Sequence, residues 1–220
     1  MTKILTWVDQ SITLHNKQTS HTERLNGYTH LAGSLFALVF MAIVITQKAS
    51  YAHINTFIGL LVYGLGMFFL FTCSTFYHML NHSLAKKVFR LLDHVNIYSL
   101  IASTYTPILL FVDSPKTHLL TLIMWLIAFG GMLFSAFFWG KFKILEVAFY
   151  VAMGWMILLF WGDVVPFIPS SLTRYIVAAG LTYTSGVIFY ARKKRYSHVV
   201  WHLFVFAASV LFAVGFLVNF

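Results

Sequence analysis

The sequence predicts an all-α integral membrane protein, a bundle of seven transmembrane helices with a cytoplasmic N-terminus and the C-terminus outside. Three observations support this prediction. The 220 residues are 60% hydrophobic and only 10% charged, whereas soluble domains contain roughly 25% charged residues. The apolar runs are continuous, which excludes the short alternating strands of a β-barrel. The basic residues alternate between the two sides of the predicted helices, as the positive-inside rule requires.

The predicted helices are long apolar stretches whose central residues include no Asp, Glu, Lys or Arg, because one such charge at a helix centre costs about 2.5 to 3.5 kcal/mol on insertion. A span needs about 20 apolar residues to cross a hydrocarbon core of about 30 Å. The seven predicted spans are residues 28–46, 53–80, 89–111, 117–139, 144–161, 172–191 and 197–218. Residues 1–220 are expected to form a single seven-helix membrane domain, with residues 1–24 as a cytoplasmic N-terminal segment.

Basic residues are distributed unevenly between the loops on the two sides. Twelve fall on the side of the N-terminus and three on the other, so the N-terminus is predicted to be cytoplasmic. The twelve are Lys3, Lys17, Arg24, Lys86, Lys87, Arg90, Lys141, Lys143, Arg192, Lys193, Lys194 and Arg195, and the three are Lys48, Lys116 and Arg174. The net charge of +9 therefore favours contacts with membrane lipids and no nucleic-acid partner. The expected location is the cell membrane, the plasma membrane of a bacterium.

Polar residues within the predicted spans gather at the cytoplasmic end of three helices. Ser74 and His78 lie four residues apart near the end of the second span, and Asp93 lies near the start of the third. His198 and His202 repeat the four-residue spacing at the start of the seventh span, so each pair shares one helix face. Three imidazoles with a carboxylate and a hydroxyl at the same depth suit a tetrahedral Zn²⁺ with three protein ligands and one open position.

The sequence therefore predicts Zn²⁺ as the cofactor and three histidines, His78, His198 and His202, as its ligands. Zinc lowers the pKa of bound water to about 7. Asp93 would hold or deprotonate that water, and Ser74 would orient Asp93 or stabilise an oxyanion. A single histidine in a membrane helix is more often an interhelical hydrogen-bonding group than a ligand. The agreement in depth among all five residues is what favours the metal site.

Two other histidines near this cluster have simpler interpretations. His82 follows His78 by four residues and is a rival ligand, but its polar neighbours place it at the headgroup level. His94 adjoins Asp93 but points about 100° away from it along the helix. We expect His94 to be structural or interfacial.

A second polar group, residues 23–30, lies at the entrance to the first predicted span. One interpretation is a helix start capped by polar side chains near the headgroups. The other is a segment that packs against the metal site. His30 is not assigned as a ligand under either interpretation.

Taken together, these motifs resemble the hemolysin III family, the bacterial branch of the progestin and adipoQ receptor group, which is distantly similar to alkaline ceramidases. The resemblance covers the chain from about residue 20 to its end. The matching residues are, in order, Glu23, Asn26, Thr29, His30, Ser74, His78, Asp93, His198 and His202. The resemblance implies a seven-helix bundle with its N-terminus inside, zinc bound by the three histidines, and Asp93 and Ser74 beside the water on the metal.

Three functions are open at this point. The first is a zinc-dependent membrane hydrolase that cleaves a lipid amide or ester, which the relatives that hydrolyse ceramide imply. The second is a pore-forming cytolysin, which the family name implies, although no predicted helix carries a polar stripe along its full length. The third is a membrane-stress or lipid-sensing receptor with structural zinc. The first and third need the same ligands, so the sequence favours neither over the other.

Overall fold

A computed structural model describes residues 2–14, 20–50, 52–192 and 194–220 of the chain. Every regular element within these residues is helical. Lys17 and Lys193, two of the predicted topogenic cations, lie outside the described residues. The helices are α1 (Lys3–Ser11), α2 (Ser20–Ile43), a π-helical continuation of α2 (Val44–Lys48), α3 (Ile54–Met79), α4 (Leu84–Val112), α5 (Pro115–Phe137), α6 (Lys143–Gly154), α7 (Trp161–Val164), α8 (Ser170–Ala191) and α9 (Ser197–Asn219).

Six helical segments within the described residues have the length and mean hydropathy of membrane spans. They are Ser20–Lys48, Ile54–Met79, Leu84–Val112, Pro115–Phe137, Lys143–Phe167 and Ser197–Asn219. The prediction of a helical, multi-pass membrane protein is therefore confirmed. The predicted sixth span corresponds to α8, which has 22 residues but is not among the six, because Arg174 and several hydroxyl side chains lower its hydropathy. The seventh crossing and the orientation of the termini remain predictions.

The structure places more helix before the first span than the sequence predicted. α2 begins about two turns earlier than residue 28, so residues 23–30 are helical. The predicted N-terminal segment also contains α1, whose Val8 is buried and which contacts α4. An ion pair of 2.7 Å between Lys87 Nζ and Asp9 Oδ1 joins the two helices. Short amphipathic helices of this kind have no long apolar run, so the sequence pattern does not distinguish α1 from a loop.

The fifth predicted span, residues 144–161, is interrupted in the structure. α6 ends at Gly154, and 3-10 turns at Met156–Phe160 and Val165–Phe167 flank the short α7. The Tyr105 hydroxyl of α4 lies 2.8 Å from the Gly154 carbonyl oxygen and accepts a hydrogen bond of 3.0 Å from the Ile157 amide. This side chain binds backbone groups that the helix break leaves free, which makes the break tolerable in an apolar setting.

The core brings one end of α3 against the start of α9. α3 packs between α2 and α4, and at Gly59 a Cβ atom would lie only 2.6 Å from Pro107 Cα of α4. The buried Tyr63 of α3 donates a hydrogen bond of 2.8 Å to the Ser209 carbonyl of α9. We call the end of the bundle where α3 finishes at Met79 and α9 begins at Ser197 the histidine end.

Candidate metal centre and cavity

Three histidines from two helices converge at the histidine end. His78 lies in the last turn of α3, and His198 and His202 lie one turn apart at the start of α9. One ring nitrogen from each can be chosen so that the three lie within 4.8 Å of one another, and Nε2 of His198 is 3.1 Å from Nε2 of His202. Two nitrogen ligands on a tetrahedral zinc lie about 3.3 Å apart. The structure thus brings together the three predicted metal ligands.

The outer ring nitrogens of His78 and His202 are held in the way that metal-binding histidines usually are. His78 is 3% exposed, and its Nδ1 lies 3.2 Å from Glu23 Oε2, while its buried Nε2 has no hydrogen-bond partner. His202 Nδ1 lies 3.3 Å from the Asn26 carbonyl oxygen. A carboxylate or carbonyl on the outer nitrogen orients an imidazole towards a metal. The donor set and its geometry therefore fit a tetrahedral cation such as Zn²⁺.

The two residues predicted to be catalytic lie beside this cluster. Ser74 is fully buried, one turn before His78 on α3. The Asp93 carboxyl of α4 interacts with the Ser74 hydroxyl and with the His78 imidazole, although Ser74 Oγ forms no hydrogen bond of ordinary geometry. The structure brings Asp93 and Ser74 next to the histidines, while their chemical roles stay predictions.

The histidines that the sequence analysis set aside lie elsewhere. His82 is exposed in the loop after α3 and does not belong to the three-histidine group found among the described residues. His94 turns to α6, where its Nε2 lies 3.0 Å from Glu146 Oε2. Glu146 is 2% exposed, and the sequence analysis missed it because a single glutamate near the end of an apolar run gives no signal by itself.

The polar segment at the start of α2 packs against the histidine cluster, which agrees with the second of its two interpretations. Glu23, Asn26 and His30 are separated by three and four residues and so share one helix face. His30 is 3% exposed, and its ring stacks on His202 with centroids 3.6 Å apart and an interplanar angle of 14°. His30 is not part of the three-histidine group among the described residues. The sequence showed that these three residues share a helix face, but it did not show that this face contacts the histidines of α3 and α9.

A cavity of about 610 Å³ extends from the histidine cluster between α4, α6, α8 and α9. Along α4 its wall runs from Arg90 to Ile108, eighteen residues or about 27 Å of helix. The wall is polar near the cluster and mostly apolar farther along, where Ile101, Val205 and Phe212 contribute. Apolar cavities with a few convergent polar groups are typical of small-molecule sites.

The family model described as "Haemolysin-III related" matches residues 18–213 of the chain. The chain belongs to the hemolysin III family. The resemblance inferred from the motifs is therefore confirmed, and the match includes every residue of the cluster. Family membership and the six spans together identify a multi-pass protein of the cell membrane.

Several relatives resemble this hemolysin III protein along most of its length. Hemolysin-3 of Bacillus cereus is 34% identical over 191 residues, which cover 86% of this chain and 87% of that protein. The Hemolysin-3 homolog of Bacillus subtilis (strain 168) is 31% identical over 193 residues, covering 87% and 91%. The human Monocyte to macrophage differentiation factor is 28% identical over 204 residues, covering 89% and 83%. No solved structure gives a significant match.

Proposed function

We propose that this protein is a zinc-dependent membrane hydrolase that cleaves an amide or ester bond in a lipid. The observation that carries the proposal is the convergence of three imidazoles, with a carboxylate beside them, at one end of a largely apolar cavity. Zinc held by three protein ligands with a fourth position open is a Lewis acid that makes water nucleophilic near neutral pH. A cavity of this kind suits a substrate whose tail is apolar and whose polar group reaches the histidines.

The surrounding residues have distinct roles in this proposal. The three histidines would hold the metal, and Glu23 orients His78 through its Nδ1. Asp93 would accept the proton of the attacking water and return it to the leaving amine or alkoxide as the carbonyl carbon loses that group. Ser74, one turn before His78 on α3, would orient Asp93 or stabilise an oxyanion.

Metal analysis of the purified protein tests the zinc site. We expect about one zinc per chain in the wild type and none after His198→Ala and His202→Ala are combined, because two of three ligands are then lost. His82→Ala is the matched control, since this exposed histidine lies close by and is not in the group. An unchanged zinc content in the double variant would end the metal proposal.

Turnover is tested separately, by a screen of membrane lipid extracts for products that form only with zinc-loaded protein. Asp93→Asn should abolish these products while zinc stays bound, because the amide cannot accept the proton. Asp9→Asn, which changes an exposed carboxylate on α1, should leave them unchanged. Equal activity of Asp93→Asn and wild type would assign the base to another group. Bound zinc without any product would favour the receptor with structural zinc.

The name of the Bacillus cereus relative, Hemolysin-3, favours a second candidate, a pore-forming cytolysin. Its test is release of a dye from liposomes by the wild type and by the combined His198→Ala and His202→Ala variant. Release that is equal for both proteins would support the cytolysin and would count against a zinc-dependent activity. The hydrolase proposal expects no release from either protein.

We also propose that α8 is a seventh span and that the N-terminus is cytoplasmic. The geometry of the cluster supports the count: α3 ends and α9 begins at the histidine end, and α4, α5 and α6 with α7 carry the chain to the other end. α8 must therefore bring it back before Ser197. The twelve basic residues assigned to the histidine end support its placement in the cytoplasm.

A further inference from the structure

Arg90 is a cation in the cavity wall whose charge the protein leaves without an acid partner. It lies on α4 one turn before Asp93, and its side chain lines the cavity beside the histidine cluster. Its Nη1 is buried and makes no hydrogen bond. Among the described residues, Arg90 belongs to none of the ion pairs at the histidine end. Leaving a buried donor without an acceptor is unfavourable, so this arrangement indicates a partner from outside the chain.

Two aromatic rings hold the guanidinium in place. Its Cζ atom lies 5.9 Å from the ring centroid of Tyr77 and 5.5 Å from that of Trp139, and both rings also line the cavity. Contacts with ring faces stabilise a cation but offer no oxygen to its N–H groups. The planar fork of donors in arginine therefore stays available for a group of matching shape, which is a carboxylate or phosphate.

The neighbouring carboxylates have other partners. Glu23 Oε2 lies 3.2 Å from His78 Nδ1 and 3.4 Å from Lys86 Nζ. Glu146 is paired with His94. Among the described residues, Asp93 and Arg90 form no ion pair within 4.0 Å, although the guanidinium attracts the carboxylate at longer range. Two cations line the cavity, Arg90 and Lys143. Lys143 is exposed, whereas the guanidinium of Arg90 lies against two rings and, in the part of the chain that the structure describes, has no carboxylate within ion-pair distance.

The depth of Arg90 matches that of lipid headgroups. α4 has 29 residues, so it is about 43 Å long, close to the about 40 to 45 Å of a bilayer with its headgroups. Arg90 lies six residues after the first residue of α4, or about 9 Å along it. This position is near the boundary between headgroups and hydrocarbon, where the anionic groups of membrane lipids are phosphates.

We propose that Arg90 binds the phosphate of an anionic lipid whose acyl chain occupies the apolar part of the cavity. The inference deepens the proposed function by naming its substrate class, and the claim that such a lipid is hydrolysed rests on that function. The claim that the lipid binds at Arg90 does not rest on the proposed function. Neutral or zwitterionic lipids would leave the guanidinium unpaired or partly opposed by their own cation, so the site discriminates by charge.

Lipid binding to the purified protein in non-ionic micelles tests this proposal. Phosphatidic acid and phosphatidylcholine with the same acyl chains are compared, and inorganic phosphate is added as a competitor. We expect the wild type to prefer phosphatidic acid by about tenfold or more, the effect of one charge-assisted hydrogen-bonded pair. Arg90→Gln should remove this preference. Arg24→Gln is the matched control, because Arg24 is exposed on α2, is absent from the cavity wall and loses the same charge.

Each outcome decides the proposal. Equal preference in Arg90→Gln and wild type would overturn it, and competition by millimolar inorganic phosphate as strong as by the lipid would indicate a site for free anions instead. If Arg90→Gln is unfolded by its melting curve, Arg90→Lys carries the test. Lysine keeps the charge but not the fork, so a several-fold loss of preference supports the proposal and an unchanged preference overturns it. The combined His198→Ala and His202→Ala variant should keep the preference, which separates failure of this inference from failure of the zinc proposal.

Discussion

Glu23 is the residue through which α2 contacts His78. Replacing it with Gln removes the negative charge next to His78 Nδ1, so the imidazole is less basic and less firmly oriented. We expect Glu23→Gln to lower zinc affinity by about 10- to 100-fold. Competition with a chelator of known affinity measures this change. Lys86 keeps its hydrogen bond of 3.0 Å to the Leu80 carbonyl, so the loop should stay in place.

The control for Glu23→Gln is Asp9→Asn, which removes the exposed carboxylate that pairs with Lys87 at the same end of the bundle. It makes the same change of charge without touching a histidine. A zinc affinity that falls equally in both variants would show that general electrostatics, and not the contact with His78, is responsible.

Asp113 makes the opposite end of the bundle sensitive to pH. It follows α4 in the left-handed conformation, with φ of 51°. A hydrogen bond of 2.7 Å donated by Asn55 Nδ2, supported by His118, lowers the pKa of the Asp113 carboxyl below its ordinary value. A carboxyl with a lowered pKa stabilises the folded state above its unfolded pKa of about 3.9. This contribution disappears as the pH falls through the folded value.

We therefore expect Asp113→Asn to melt at a lower temperature than the wild type near neutral pH and to converge with it below about pH 4. Asparagine tolerates the left-handed conformation, so the backbone should not add a difference of its own. Thermal unfolding in detergent at several pH values is the measurement. Asn55→Ala removes the hydrogen bond that lowers the Asp113 pKa most. Its melting temperature should therefore depend on pH in the same way. If the melting temperature of Asp113→Asn were lower than that of the wild type by the same amount at every pH, the Asp113 carboxyl would not be the source of the pH dependence.

The long apolar helices were predictable because charges and turn residues mark their ends. The predicted range 53–80 differs from α3 by one residue at each end, and α9 begins at the predicted Ser197. The break in α6 was not predictable, since no proline lies within residues 144–161. The backbone groups at the break bind the hydroxyl of Tyr105, which belongs to a helix some fifty residues earlier in the chain. A sequence window contains no information about such distant contacts.

Tyr105 should accordingly matter for the stability of the fifth segment. Tyr105→Phe removes the hydroxyl that accepts from the Ile157 amide and leaves that amide without its partner in an apolar environment. We expect a loss of about 1 to 3 kcal/mol in unfolding free energy, measured by denaturation in mixed micelles. Tyr28→Phe is the control, because Tyr28 is 54% exposed. Equal stability of both variants would mean that water or lipid replaces the tyrosine hydroxyl.

The histidine cluster was predictable at the level of the whole molecule because alternate helices of a membrane bundle start at the same end. His78 and His198 are 120 residues apart, yet the count of spans between them assigned both to one leaflet. The number of spans did not indicate which other helix would pack against the histidine cluster. The contribution of α2 follows from side-chain packing among α2, α3 and α9, which the order of spans does not determine.

The membrane topology behind that assignment can be tested with single cysteines in a Cys73→Ala background. Asn81, Lys116, Ser170 and Lys194 are all exposed and follow or precede successive proposed crossings. With seven spans and a cytoplasmic N-terminus, Lys116→Cys and Ser170→Cys should react with a membrane-impermeant maleimide on intact cells. Asn81→Cys and Lys194→Cys should react only after permeabilisation. The two positions that flank α8 decide the number of spans. If Ser170→Cys and Lys194→Cys are labelled under the same conditions, α8 does not cross the membrane. The three histidines could then meet only if another segment returned the chain to the histidine end.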